Sequence, residues 1–120
     1  MAFPGTYNIS YYKGDTYEFR IYPKDASGEP FPLTGYTVKF SFSQNRGSAG
    51  SSTYHEAYSI LHASEGYILC AIRPTDSSNL NAGTSYVYDV EITKSGTPYN
   101  QVYTILTGNI TVTDQVSVSS

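Results

Sequence analysis

The sequence has no tryptophan, one methionine and one cysteine, and only 14% of its residues are charged. A lone cysteine excludes an internal disulfide, so Cys70 agrees with folding in a reducing compartment. Seven basic residues, scattered and absent after Lys94, stand against ten acidic ones. The net charge of −3 leaves no electrostatic footprint for a phosphate backbone, which argues against a nucleic-acid partner. Long apolar runs are also missing: nowhere do about 18 apolar residues stand together, which argues against a membrane span. Met1-Ala2-Phe3-Pro4-Gly5 has neither the basic nor the apolar region of a secretory leader. The expectation is a protein made in the cytosol that stays soluble, with no membrane partner.

What is abundant is tyrosine, 13 residues beside 5 phenylalanines. That composition favours strands and adhesive surfaces over disorder. A length of 120 residues fits one domain, here read as residues 1–120 with a short arm at 1–10 and a polar tail at 113–120. The cleanest alternation follows the turn at Gly83: Tyr86, Tyr88, Val90 and Ile92 fall on one face, Val87, Asp89 and Glu91 on the other. A sheet that is apolar on one side must bury that side, which predicts a two-layer, mostly antiparallel β protein.

The same alternation sets Tyr17, Phe19 and Ile21 inward against Glu18, Arg20 and Tyr22 outward, and aligns Tyr36, Val38, Phe40 and Phe42 in a strand near the middle of a sheet. Tyr7, Ile9 and Tyr11 alternate as an edge strand, and Ile68, Cys70 and Ile72 form the inward set of a nearly continuous apolar run at 66–72. Residues 54–61 read as a return strand with poor alternation. Thr75 or Asp76 is expected to cap one helical turn reaching Leu80. Gly108, inside a long final strand at 99–112, is expected to mark a bulge or bend. The count, seven or eight short strands between turn signals, favours a sandwich or barrel.

Residues with chemical potential are few. His55 and His62 are spaced for neither a strand pair nor a helix pair of metal ligands, so no metal site is expected. Cys70, inside an apolar strand without a nearby base, reads as a small packing residue and not as a nucleophile. Asp25, Ser27 and Glu29 alternate across a glycine turn but lack the spacing of a calcium loop. Asp89 and Glu91 share an outward face, as acids on any solvated strand do. No nucleophile elbow and no phosphate loop are present, so neither catalysis nor a cofactor is expected.

The tyrosines divide into two sets. Tyr17, Tyr36, Tyr86 and Tyr88 lie on inward faces, with hydroxyls expected to reach a rim or a backbone acceptor. Tyr11, Tyr12, Tyr22, Tyr54, Tyr58, Tyr99 and Tyr103 exceed what one core holds. Together with Arg46 in the Gly- and Ser-rich loop at 44–53, they are the candidate partner-binding residues, because exposed tyrosine gives large contact area at small entropic cost. Unpaired strand edges are a second means of binding a partner, including another copy of the chain.

Tyr12-Lys13-Gly14-Asp15-Thr16-Tyr17, Asp25-Ala26-Ser27-Gly28-Glu29-Pro30 with Leu33-Thr34-Gly35-Tyr36-Thr37, Leu80-Asn81-Ala82-Gly83-Thr84-Ser85-Tyr86-Val87-Tyr88-Asp89-Val90, and the terminal Thr104-Ile105-Leu106-Thr107-Gly108-Asn109-Ile110-Thr111-Val112 together form a layout that spans nearly the whole chain. It resembles the small immunoglobulin-like β-sandwich modules of tailed-bacteriophage virion proteins, including the N-terminal domain of baseplate upper proteins. The resemblance implies an all-β, immunoglobulin-like antiparallel β-sandwich and a non-enzymatic scaffold located in the virion that docks onto other virion subunits. A single module of this kind suits a capsid cement or decoration protein bound to the major capsid protein. The alternatives are a tail or baseplate adaptor and, from another class, a carbohydrate-binding module with a tyrosine platform beside Asp89 or Asn109.

Overall fold

Stretches of alternating side chains become strands, and the order of the strands follows from which apolar faces share one core. A computed structural model describes residues 5–44 and 55–113. The strands are β1 (Gly5–Thr6), β2 (Ile9–Tyr12), β3 (Tyr17–Ile21), β4 (Thr37–Ser43), β5 (His55–His62), β6 (Tyr67–Ile72), β7 (Ser85–Lys94) and β8 (Gln101–Thr113). They follow the ladder order β1-β8-β7-β4-β5-β6-β3, with β2 also beside β8. The result is an all-β, immunoglobulin-like sandwich, curled around one buried cluster that runs from Ile9 and Tyr11 through Phe40, Ile68, Tyr88 and Ile110.

β5 belongs to both layers. Its first part pairs with β4 through Phe40↔Ala57, and its second part pairs with β6 through Ile60↔Leu69. Layer one is therefore β8-β7-β4 with the N-terminal strands, and layer two is β5-β6-β3. All ladders are antiparallel except those of β1 and β2, which run parallel to β8. Ile9, within the arm read at 1–10, and Tyr11, just after it, are both fully buried in the core.

Three aromatic residues join the layers. Phe19 of β3 meets Phe40 of β4 at 5.6 Å between ring centroids and Tyr88 of β7 at 6.4 Å, both edge to face. Such pairs add about 0.5–1.5 kcal/mol each beyond the area they bury. Beside them, the hydroxyls of Tyr7 and Tyr17 lie 2.5 Å apart and link the N-terminal segment to β3.

Gly83 takes a positive φ of 78° just before β7, a conformation that glycine adopts without a Cβ penalty. Tyr86 then turns inward and its hydroxyl accepts the Asn81 N–H at 2.9 Å, an arrangement of the tyrosine-corner type that holds the connection onto the core. Asp76–Asn79 form one turn of 3-10 helix with Thr75 at the N-cap. Neither candidate caps that turn from its side chain. Thr75 makes no such bond, and the Asp76 carboxylate accepts instead from the Arg73 backbone N–H at 2.8 Å and from Arg73 Nε at 3.0 Å.

The bulge of the final strand is at Ile105, not at Gly108. Val90 pairs with Leu106 and Glu91 with Thr104, so Ile105 is the extra residue. The consecutive apolar pair Ile105-Leu106 lets β8 change phase there, with Tyr103 facing inward before the bulge and Ile110 and Val112 after it. Gly108 pairs with Tyr88, and its role is clearance: a Cβ there would overlap the Tyr7 carbonyl.

Candidate interaction surface

The two outer faces of the sandwich differ in character. On layer one, the outward residues include Thr37, Lys39, Glu91 and Thr93, which with Val38 and Glu56 line an open trough of about 290 Å³. Asp89, on the same face, accepts a hydrogen bond from Thr107 Oγ1 at 2.8 Å, and Glu91 stands opposite Lys39 in the ladder. Both acids sit in an ordinary solvated sheet face. Asp25 accepts from the N–H groups of Ser27 and Glu29 and from the Ser27 hydroxyl, so its carboxylate closes its own loop. Those bonds, the Ser27 hydroxyl foremost, stabilise the charged form and hold its pKa below the usual carboxylate range.

The outer face of layer two is largely apolar and aromatic. Cross-strand register places Tyr58, Ala71 and Glu18 in one row and Ile60, Leu69 and Arg20 in the next. The third row is His62 with Tyr67, and Tyr22 packs edge to face on Tyr67 at 5.6 Å. Cationic groups lie over the rings: the Arg20 guanidinium is 4.7 Å from the Tyr67 centroid and that of Arg73 is 5.4 Å from Tyr58. His62 stacks on Tyr67 at 4.6 Å with Glu65 3.6 Å away. Tyr22 is 51% exposed, Tyr58 38% and Ile60 40%, although Ile60 sits in the middle row of the face. A strand that is apolar on both sides, as β6 is, normally has both sides covered. Here the inner side is fully covered, whereas on the outer side Ala71 is buried, Tyr67 and Leu69 are half-buried, and Tyr22, Tyr58 and Ile60 remain exposed around them.

The candidate tyrosines fall in different places. Tyr22 and Tyr58 share this face. Tyr12 is exposed at the end of β2, and Tyr99, 71% exposed, lies in the connection from β7 to β8. Tyr11 is corrected: it is 1% exposed, and its hydroxyl donates to the Asp15 carbonyl at 2.7 Å, so it packs in the core and closes a turn. Tyr103 is half-buried between Phe31 and Tyr36, with Phe31 edge to face at 5.9 Å, and is a rim packing residue. Arg46 and Tyr54 lie outside the described residues. The inward tyrosines behave as their positions require. Tyr88 donates to the Tyr7 carbonyl, Tyr86 accepts from Asn81, and Tyr36 donates to Gln101 Oε1 at 3.2 Å.

Tyr67, Ile60 and Leu69 were not singled out from sequence, though the signal was there. Residues 54–61 alternate poorly because Tyr58 and Ile60 point out while Ala57 and Leu61 point in. The run at 66–72 is continuous because Tyr67 and Leu69 occupy the outer side of β6.

Cys70 is fully buried between the layers, and burial pushes its thiol up from 9.0 to about 12. Burial, with the Tyr7 hydroxyl beside it, lifts Tyr17 from 10.0 to about 12, and burial raises Tyr88 as well. In each case the fold favours the neutral form, so above pH 9 the unfolded chain holds fewer protons than the folded one and stability falls as pH rises. The expected outcome is a urea midpoint constant up to about pH 9 that declines steadily toward pH 12. An unchanged midpoint at pH 11 would contradict the buried setting of these groups.

No protein-family model matches this chain, and no curated protein matches it.

Proposed function

We propose that this chain is a non-catalytic virion structural protein that docks onto other virion subunits. A cement or decoration protein on the capsid is the first reading, and a tail or baseplate adaptor the second. The virion assignment rests on the sequence layout. The docking role is supported by one observation above the rest, the exposed Tyr22, Tyr58 and Ile60 on the outer face of β5, β6 and β3. Covering the exposed part of a side chain such as Ile60 contributes about 1 kcal/mol, so a few such residues supply a specific contact when a partner adds shape and hydrogen bonds. A sugar-binding role has weaker support, because Tyr22 and Tyr67 meet at 65° and do not form one flat stacking platform.

The test is incorporation into particles. Mass spectrometry of purified virions should detect the wild-type chain, and the Ile60→Asp/Leu69→Asp variant should be depleted by at least about tenfold while keeping its β spectrum. Absence of the wild-type chain from particles would sink the virion assignment. Normal incorporation of the variant would sink the role of this face. A glycan array that responds to the wild-type chain and not to Tyr22→Ala would favour the sugar reading instead.

A further inference from the structure

The free edge of β3 carries a charge pattern that fits a second copy of itself, and we propose that the chain forms a two-fold dimer by antiparallel pairing of β3 with β3 of another copy. β3 ends the ladder order: it is bonded to β6 on one side, and among the described residues no strand lies along the other. Backbone N–H and C=O groups of successive strand residues point to alternate edges. Those of every second residue of β3 therefore point away from β6, where another strand can bond to them.

The strand reads Tyr-Glu-Phe-Arg-Ile, a charge palindrome about Phe19. A two-fold axis through Phe19, normal to the sheet, sets Glu18 opposite Arg20 of the second copy and Arg20 opposite its Glu18. Tyr17 then faces Ile21. The neighbouring registers are worse. A shift that changes the pairing by one residue puts outward side chains against inward ones, and an axis through residue 18 or residue 20 sets like charges face to face. Charge thus selects one register and rejects its neighbours, which is how specificity at an edge is built.

The two side chains can serve this contact. Both are exposed. Glu18 makes no ion pair among the described residues. The Arg20 guanidinium stands over the Tyr67 ring and bonds to the Tyr22 side chain, which leaves others of its five N–H donors for a carboxylate across the edge. The dimer would join two copies of β5-β6-β3 into one sheet continuous across the axis, with the two apolar outer faces side by side. It does not depend on what those faces bind, so this inference and the docking role fail separately.

Sedimentation equilibrium of the whole chain tests it. The wild-type chain should dimerise reversibly at up to about 1 mM. Glu18→Arg and Arg20→Glu should each raise the dissociation constant at least about tenfold, and Glu18→Gln by a smaller factor in the same direction. Mixing Glu18→Arg with Arg20→Glu restores both opposite-charge pairs, so the mixture should dimerise like the wild type although each variant alone does not. A wild-type chain that stays monomeric overturns the proposal. So does a dimer that survives both reversals, which would place the contact elsewhere, or a mixture that fails to recover.

Discussion

Replacing Phe40 by alanine is expected to remove about 4 kcal/mol of stability. Phe40 is fully buried in β4, the strand at the centre of the ladder order, and it is the residue on which the second layer rests. Its ring meets Tyr88 of its own layer at 5.5 Å and Phe19 of the opposite layer at 5.6 Å, edge to face in both cases. Truncation removes the transfer free energy of a whole ring and both aromatic contacts. It also leaves a cavity between layers that cannot close, because β4 is held on either side by β5 and β7. The thermal midpoint should fall by about 15 °C, and the urea midpoint should fall with an unchanged slope. β3 carries Phe19 as its main contact with the other layer, so its amides should gain exchange faster than those of β7. A loss below about 1.5 kcal/mol would mean that the layers are not held together at this point.

Gly108→Ala is expected to cost about 3 kcal/mol, for a reason unrelated to backbone conformation. The backbone of Gly108 is one that any residue can adopt; space is the constraint. An added methyl would overlap the Tyr7 carbonyl and come within 3.1 Å of a Tyr88 ring carbon. The Tyr7 obstacle is backbone, so the N-terminal segment must lift away. That breaks the bond from the Tyr88 hydroxyl to the Tyr7 carbonyl and leaves a buried hydroxyl without its acceptor. Limited proteolysis should then cut within residues 5–12, where the wild type resists. In a Tyr88→Phe background the penalty should shrink by about 1 kcal/mol, since no hydroxyl is left unsatisfied. Equal penalties in both backgrounds would show that the hydroxyl bond plays no part.

The strands and the core were largely legible because one face of each is buried. Tyr86, Tyr88, Val90 and Ile92 alternate without a break, and all four are buried as read. Phe40 and Phe42 likewise fall where period two puts them. What escaped was set by contacts distant in sequence. The bulge was assigned to Gly108 because glycine is the usual signal, but Ile105 is the extra residue, and a β-branched residue there gives no local mark. Tyr11 was placed among the surplus tyrosines because burial depends on the parallel pairing of β2 with β8, a neighbour about a hundred residues away in sequence that period two does not reveal.

The outer face of layer two was half legible. Its tyrosines Tyr22 and Tyr58 were singled out, but their grouping depends on β6 lying between β3 and β5, which no short-range pattern encodes. Within the nearly continuous apolar run at 66–72, Ile68, Cys70 and Ile72 are fully buried, whereas Tyr67 and Leu69 on the other side of β6 are half-buried.

The parallel run of β2 beside β8 has a mechanical meaning. Tension drawn outward from the first and last strands would slide the two past one another lengthwise. The bonds between them would bear that load together, as a lap joint does, and would not part singly from one end. A fold wired in this way grips hardest along the shared direction of β2 and β8.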